Sequence, residues 1–147
     1  MIHIQVHATR ILFKKDVRRA RNVARFVLDS LKKKDKVIDI FLLSQSKMQK
    51  INKQWHGKDE PTNILSFAER DILEKFPKIM SDENYLGEIY ISPDFVLKHK
   101  QSFDHMVIHG ILHVLGYDHI HEKDAEKMEK IEKRILKALE KHDIKRV

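Results

Sequence analysis

The amino-acid sequence predicts an α+β fold, in which a small mixed β-sheet packs against several helices. Short apolar segments with the period of a β-strand are interspersed along the chain with longer segments whose apolar residues recur at helical spacing. A chain of 147 residues fits one domain with one hydrophobic core. We therefore predict a single domain over residues 1–147.

The first half of the chain contains three predicted strands, which cover residues 2–6, 37–43 and 63–67. A helix is predicted over residues 15–34, where valine, alanine and leucine recur on one face and basic residues occupy the other. Ser44 is a predicted N-cap of a second, short helix. Glycine and proline then indicate a loop over residues 55–62.

The second half contains one predicted strand and three predicted helices. Residues 69–86 are acidic, contain a proline and are predicted to be irregular, whereas residues 87–92 form a strand. A helix starts at the Ser-Pro-Asp sequence that begins at residue 92, because proline is tolerated in a first helical turn. A largely buried helix is predicted over residues 102–115, and a long amphipathic helix over residues 121–141.

The composition excludes several classes of protein. The chain has no cysteine, which excludes disulfides, thiolate metal sites and a cysteine nucleophile. It has no long apolar run of a signal peptide or membrane helix, so we expect a cytoplasmic protein with no membrane partner. The formal net charge of +7 at pH 7 fits either a polyanionic partner such as RNA or an ordinary solvated basic surface.

The histidines of residues 109–119, HGILHVLGYDH, predict a metal site. His109 and His113 are four residues apart, so they lie on one face of a helix, one turn apart. Gly116 ends the helix, and His119 can return to the same ion from the following turn. Three imidazoles and an open fourth position favour Zn²⁺ and an activated water, although nickel, copper or iron also bind such sites. Because the chain has ten histidines, chance spacing is the alternative.

The same string, with two further segments, resembles the YbeY family of bacterial endoribonucleases. These segments are DEPTNILSF at residues 59–67 and LGEIYIS at residues 86–92, and they occur in the order found in that family. The resemblance implies an α+β fold and one zinc ion held by His109, His113 and His119. It also implies hydrolytic cleavage of single-stranded RNA in ribosomal RNA maturation and ribosome quality control, with the ribosomal subunit or its proteins as partners.

One residue departs from the pattern of that family. The YbeY family usually carries an arginine where this chain has His56, just before Gly57. An arginine would hold a phosphate through two hydrogen bonds, whereas a histidine does so only when it is protonated. His56 is therefore either a weaker phosphate ligand or an exposed loop residue, and Lys58 or Lys53 can take the role of the arginine.

Four other residues are candidates near the metal. Asp118 either orients a zinc ligand or stabilises the turn, and Glu88 is either a general base or an exposed residue at a strand end. Ser66 is predicted to donate a hydrogen bond at the wall of the site. His105 lies one turn before His109 on the same helix face, and we predict a structural role for it.

Two basic segments are candidates for contact with RNA, with a solvated helix face as the alternative. The first comprises Arg18, Arg19, Arg21 and Arg25, and the second comprises residues 32–34.

Two other functions remain open at this stage. A zinc metallopeptidase would need a glutamate after the first histidine as general base, but this chain has Gly110 there. A non-catalytic, zinc-containing ribosome-assembly factor would need a fourth protein ligand, which Asp118 can supply. The open coordination position favours the enzyme.

Overall fold

The computed structural model describes residues 2–10, 13–71, 84–118 and 120–145. The elements whose bounds are described are four strands and five helices. The strands are β1 (His3–Ala8), β2 (Val37–Leu42), β3 (Ile64–Ala68) and β4 (Tyr85–Ile91). The helices are α1 (Lys14–Ser30), α2 (Gln45–His56), α3 (Pro93–Lys98), α4 (Phe103–Val114) and α5 (Glu122–Lys145).

The four strands form one mixed sheet in the order β1-β2-β4-β3. Strands β1, β2 and β4 are parallel, and β3 pairs antiparallel with β4 at the edge of the sheet. Helix α1 connects the parallel strands β1 and β2, as a parallel pair requires a crossover. The predicted α+β class with a mixed sheet is therefore confirmed.

The main hydrophobic core lies on one face of the sheet. Ile38 and Ile40 of β2 and Ile89 of β4 are fully buried there, and the residues between them point to the opposite face. Helices α1 and α4 pack on this core face, and α5 packs against α4 and α1. Helix α4 therefore lies between the sheet and α5, so its two sides face different surroundings.

Gly110 allows α4 to approach the sheet closely. A Cβ atom at this position would lie 2.9 Å from Ile64 Cδ1 and 3.0 Å from Ile89 Cγ2. Gly110 is also buried. Gly110 occupies the position at which a zinc peptidase would have its general base. In this structure Gly110 is a packing residue, and its position faces β3 and β4.

Arg19 links three helices at the end of α4 that begins with Ser102. Its guanidinium donates to Asp104 at 2.8 and 2.6 Å, and to Asp143 of α5 at 3.3 and 2.7 Å. The hydrogen bonds to Asp104 and Asp143 raise the pKa of Arg19 further above its ordinary value. Two carboxylates already bind the guanidinium of Arg19. Arg19 is therefore less available for RNA contact than the neighbouring arginines that the sequence suggests for this role.

The element boundaries differ from the predicted ones where local pattern and backbone geometry disagree. Helix α1 ends at Ser30 rather than at residue 34, because Lys32 and Asp35 have positive φ angles of 56° and 57°. Strand β4 begins at Tyr85, two residues before the predicted start at Gly87. Of the segment predicted to be irregular, residues 69–86, the larger part, residues 72–83, lies outside the described residues. Among the helices that are described, none is long and apolar enough to cross a membrane.

Candidate metal centre

Helix α4 carries the two central histidines on the side away from the sheet. The side chain of Ser102 accepts a hydrogen bond from the backbone N–H of His105 at 3.1 Å and caps the start of the helix. Ile108 and Ile111 are fully buried, whereas His109 and His113 are partly exposed on another face. The packing of α4 thus fixes which way both imidazoles point.

The two imidazoles converge on one point. Nε2 of His109 lies 3.1 Å from Nε2 of His113, and the ring planes are inclined by 75°. Two nitrogens that each lie about 2.0–2.1 Å from a tetrahedral zinc ion are separated by about 3.3 Å. The observed separation therefore fits two ligands of one ion, and the residues present fit the predicted metal.

The third predicted ligand, His119, lies outside the described residues. Within the part of the chain that the structure describes, no three His, Asp or Glu side chains are grouped as a metal site. The predicted set of three ligands is therefore represented by its first two members, and the role of His119 stays a prediction.

The turn after α4 brings the chain back across the end of the helix. Gly116 has a φ angle of 105°, and its N–H donates to the carbonyl of His113 at 3.0 Å. The N–H of Tyr117 donates to Leu112 at 3.0 Å, and the Asp118 carboxylate accepts from the N–H of Ile120 at 3.2 Å. The predicted helix stop at Gly116 is confirmed, and the contact of Asp118 fits the turn-stabilising interpretation.

Glu132 is a residue of this site that the sequence analysis missed. It lies on α5, is only 8% exposed and contacts two histidines of α4. Its Oε1 lies 2.6 Å from Nδ1 of His109, and its Oε2 lies 2.6 Å from Nε2 of His105. This contact fits the predicted structural role of His105, and the partner of His105 lies on a helix that is distant in the sequence.

The surroundings of Glu132 favour its ionised form over its protonated form. Burial acts to raise its pKa, but the hydrogen bonds from His109 and His105 outweigh burial and leave the pKa below its usual value. An ionised carboxylate only accepts hydrogen bonds, so both histidine nitrogens act as donors to it.

A sequence signal for Glu132 exists in the pattern of α5. Among residues 122–143 of this helix, the buried ones are Met128, Glu132, Ile135 and Leu139, spaced as one stripe. A charged residue on a buried stripe is rare unless it is paired. The spacing within α5 predicts the apolar stripe, but it does not identify the carboxylate within the stripe as a partner of the histidines.

Ser66, His56 and Lys58 lie on different elements of the fold. Ser66 is on the same face of β3 as Ile64, the residue that contacts Gly110. The ring of His56 stacks on Phe67 at 6.1 Å between centroids, and Phe67 points to the opposite face. Lys58 is exposed in the loop after α2. Ser66 is therefore on the side of the sheet that faces the metal-binding helix, whereas His56 packs against a residue of the opposite face.

Glu88 does not lie with the histidines. It is in the middle of β4 and accepts a hydrogen bond from the Tyr90 hydroxyl at 2.5 Å. Burial and this bond raise the pKa of Tyr90, so the hydroxyl remains a donor. Ile89, the next residue after Glu88 in β4, faces α4. Glu88 therefore points to the opposite face of the sheet. The expectation of a strand-end position was wrong because β4 begins earlier than predicted.

Arg70 borders the turn that follows α4. Its Nη1 lies 3.4 Å from the position of a Cβ atom at Gly116, and its side chain is 61% exposed. Its Nε lies 3.9 Å from the Asp71 carboxylate, which is too far for a strong hydrogen bond. No sequence pattern connects Arg70 with Gly116, because the two residues come from separate elements.

A polar depression of about 350 Å³ lies beside the same turn. It is lined by Lys33, Leu115, Gly116, Tyr117, Asp118, Asp124 and Lys127. A larger depression of about 540 Å³ runs along α1, but its lining includes none of the histidines. The lining of the smaller depression includes no histidine either, but this depression adjoins the turn after α4 and provides lysines of α5 and the α1–β2 loop.

Comparison with known proteins identifies the family. A family model described as Endoribonuclease YbeY matches residues 3–140. An Endoribonuclease YbeY of Paramagnetospirillum magneticum is 35% identical over 131 residues, which cover 82% of this chain and 79% of the relative. The chain belongs to the YbeY endoribonuclease family. An Endoribonuclease YbeY of Neisseria meningitidis serogroup B is 38% identical over 130 residues, covering 80% of this chain and 75% of the relative. The predicted YbeY resemblance is confirmed, and with it the class of RNA-cleaving enzyme.

The fold also has a counterpart among solved structures. The solution structure of TM1509 from Thermotoga maritima is similar with a TM-score of 0.55 at 22% sequence identity. The similarity covers 97% of this YbeY chain and 93% of the Thermotoga chain. At this identity the similarity supports the fold alone.

Proposed function

We propose that this YbeY protein is a zinc-dependent, single-strand endoribonuclease of ribosomal RNA maturation and ribosome quality control, acting in the cytoplasm. The observation that carries the proposal is the convergence of the His109 and His113 Nε2 atoms at 3.1 Å in a chain of the YbeY family. His119 is the proposed third ligand. Ribosomal RNA is the proposed substrate, with the ribosomal subunit or its proteins as further partners.

The proposed ligand set leaves one position for chemistry. Three histidines on one zinc ion leave a fourth position open, and zinc supplies Lewis-acid chemistry there. Asp118 would close that position in a purely structural site, but its carboxylate accepts from the backbone of Ile120. Membership of an endoribonuclease family supports the enzyme over the non-catalytic assembly factor. The family assignment and the packing of Gly110 likewise favour the endoribonuclease over the metallopeptidase.

The surroundings of the turn suit a phosphate backbone. Arg70, Lys33 and Lys127 place three cationic side chains around Gly116 and the adjoining depression, where they outnumber the carboxylates of Asp118 and Asp124. A guanidinium binds a phosphate through two hydrogen bonds and stabilises charge that develops during phosphoryl transfer. We assign this role to Arg70, since the structure places His56 against Phe67. His56, Lys58 and Ser66 are proposed contacts along the path of the RNA, and the catalytic roles of Glu88 and Asp118 stay predictions.

The proposal is tested by incubating the zinc-loaded protein with end-labelled RNA of one sequence, as a single strand and as a duplex. We expect cleavage of the single strand and little cleavage of the duplex. Equal cleavage of both forms would contradict single-strand specificity. Absence of cleavage of either RNA by fully zinc-loaded protein would contradict the proposed activity.

Arg70→Ala is expected to lower kcat/KM for single-stranded RNA by about 10–100-fold, because a hydrogen bond to a charged group contributes about 1.5–3 kcal/mol. Arg10→Ala is the matched control. It removes the same charge from an exposed position after β1, at the opposite edge of the sheet from β3. Equal loss of activity in both variants would indicate a general charge effect and would contradict a specific role for Arg70.

A further inference from the structure

We propose that Glu132 and His105 are positioning residues that prepare His109 to bind the metal. In this arrangement, His109 donates from Nδ1 to one oxygen of Glu132, and His105 donates from Nε2 to the other. The inference rests on the proposed metal site, but it concerns residues that neither the histidine motif nor the family similarity assigns.

The hydrogen bond to Glu132 determines which nitrogen of His109 is available. A neutral imidazole has one N–H donor and one lone-pair nitrogen. Because the carboxylate accepts from Nδ1 at 2.6 Å, the proton is held on Nδ1 and the lone pair lies on Nε2. Nε2 is the atom that faces His113 at 3.1 Å. Glu132 therefore selects the tautomer that a metal ligand requires before any metal binds.

The second oxygen of Glu132 keeps the carboxylate in place. His105 contacts it at 2.6 Å, and the rings of His105 and His109 are nearly perpendicular, at 89°. Both oxygens are thus engaged, so a rotation of the carboxylate would break two short hydrogen bonds. The capped first turn of α4 positions His105 one turn before His109. His105 is therefore a support for Glu132 rather than a fourth metal ligand.

The burial of Glu132 argues for a built arrangement. Glu132 is 8% exposed on a stripe that is otherwise apolar, and burial of an unpaired carboxylate is costly. If Glu132 merely joined α4 to α5, its removal would lower stability but would not change which nitrogen of His109 is protonated. Positioning of His109, by contrast, predicts a change in both its tautomer and the zinc affinity.

The test measures zinc affinity by competition with a chromophoric chelator, and histidine tautomers by ¹⁵N NMR of the zinc-free protein. We expect Glu132→Ala to weaken zinc binding about 10–100-fold, as is typical for carboxylate partners of metal-binding histidines. Glu132→Gln keeps an acceptor oxygen and the side-chain volume, so we expect a smaller loss. His105→Ala is expected to give a smaller loss than Glu132→Ala.

Glu129→Gln is the matched control, because Glu129 lies on the same helix with an exposed side chain 2.9 Å from Lys133. In the zinc-free wild-type protein, His109 should carry its proton on Nδ1, and in Glu132→Ala the Nε2-protonated form should increase. Unchanged zinc affinity and tautomer in folded Glu132→Ala would overturn the proposal. If that variant fails to fold, the same result in Glu132→Met, which keeps a side chain of similar size but removes both acceptor oxygens, would overturn it.

These readouts separate the two proposals. The tautomer of His109 is measured without metal or RNA. An Nε2-protonated His109 in the wild-type protein would therefore contradict only the proposed role of Glu132, and not the proposed function. Failure of the wild-type protein to bind zinc contradicts the proposed function, whatever the tautomer.

Discussion

His113→Ala is expected to abolish tight zinc binding and RNA cleavage together. The variant removes one of two nitrogens that converge at 3.1 Å, and leaves too few imidazoles for the proposed three-ligand site. Loss of an outer partner of a zinc ligand costs about 10–100-fold in affinity, so loss of a direct ligand should exceed 100-fold. Zinc affinity is measured by chelator competition, and cleavage with a labelled single-stranded RNA.

His99→Ala is the control for this prediction. His99 is an exposed histidine at the end of α3, where its ring stacks on Phe95 at 3.9 Å between centroids. We expect this variant to bind zinc and cleave RNA as the wild-type protein does. Retention of both properties in His113→Ala would contradict the assignment of His113 as a ligand. Loss of cleavage with full zinc binding would assign His113 to another catalytic role.

Gly110→Glu is expected to prevent stable folding rather than to create a peptidase. The substitution gives the chain the histidine-glutamate pattern of zinc peptidases. However, even the Cβ of the new side chain would lie within 3.0 Å of Ile64 and Ile89, and the remaining atoms would enter the interface between α4 and the sheet. Overpacking and a buried carboxylate together should lower the free energy of unfolding by more than about 4 kcal/mol.

Gly110→Ala isolates the first carbon of that side chain. Its overpacking costs about 1–3 kcal/mol, but the better helix propensity of alanine returns about 1 kcal/mol. We therefore expect a net destabilisation of at most about 2 kcal/mol. Urea unfolding of both variants is measured with chelator present, so that zinc does not add to stability. A Gly110→Glu protein as stable as Gly110→Ala would contradict the proposed packing role of Gly110.

The parts of the site that follow from local helix geometry could be predicted from the sequence. His109 and His113 share a helix face because four residues make about one turn. Gly116 ends α4 because glycine readily adopts the positive φ angle of 105° that the turn requires. The amphipathic patterns of α1 and α5 likewise predicted helices, since burial of one face depends on spacing within a single segment.

The parts that depend on packing between distant segments could not be predicted in the same way. Glu132 meets His109 across the interface of α4 and α5, 23 residues apart, and spacing within either helix does not reveal the contact. The neighbours of Glu88 depend on where β4 starts, and β4 starts at Tyr85, two residues before the predicted start. Arg70 reaches Gly116 only through the antiparallel placement of β3 at the sheet edge.

The measurement that tests the central claim most directly is the zinc content of the purified wild-type protein, determined together with its cleavage of single-stranded RNA before and after chelation. The account predicts about one zinc per chain, as expected for one three-histidine site, loss of cleavage when the metal is removed, and recovery when zinc is returned. Full cleavage by a protein shown to be free of metal would contradict it.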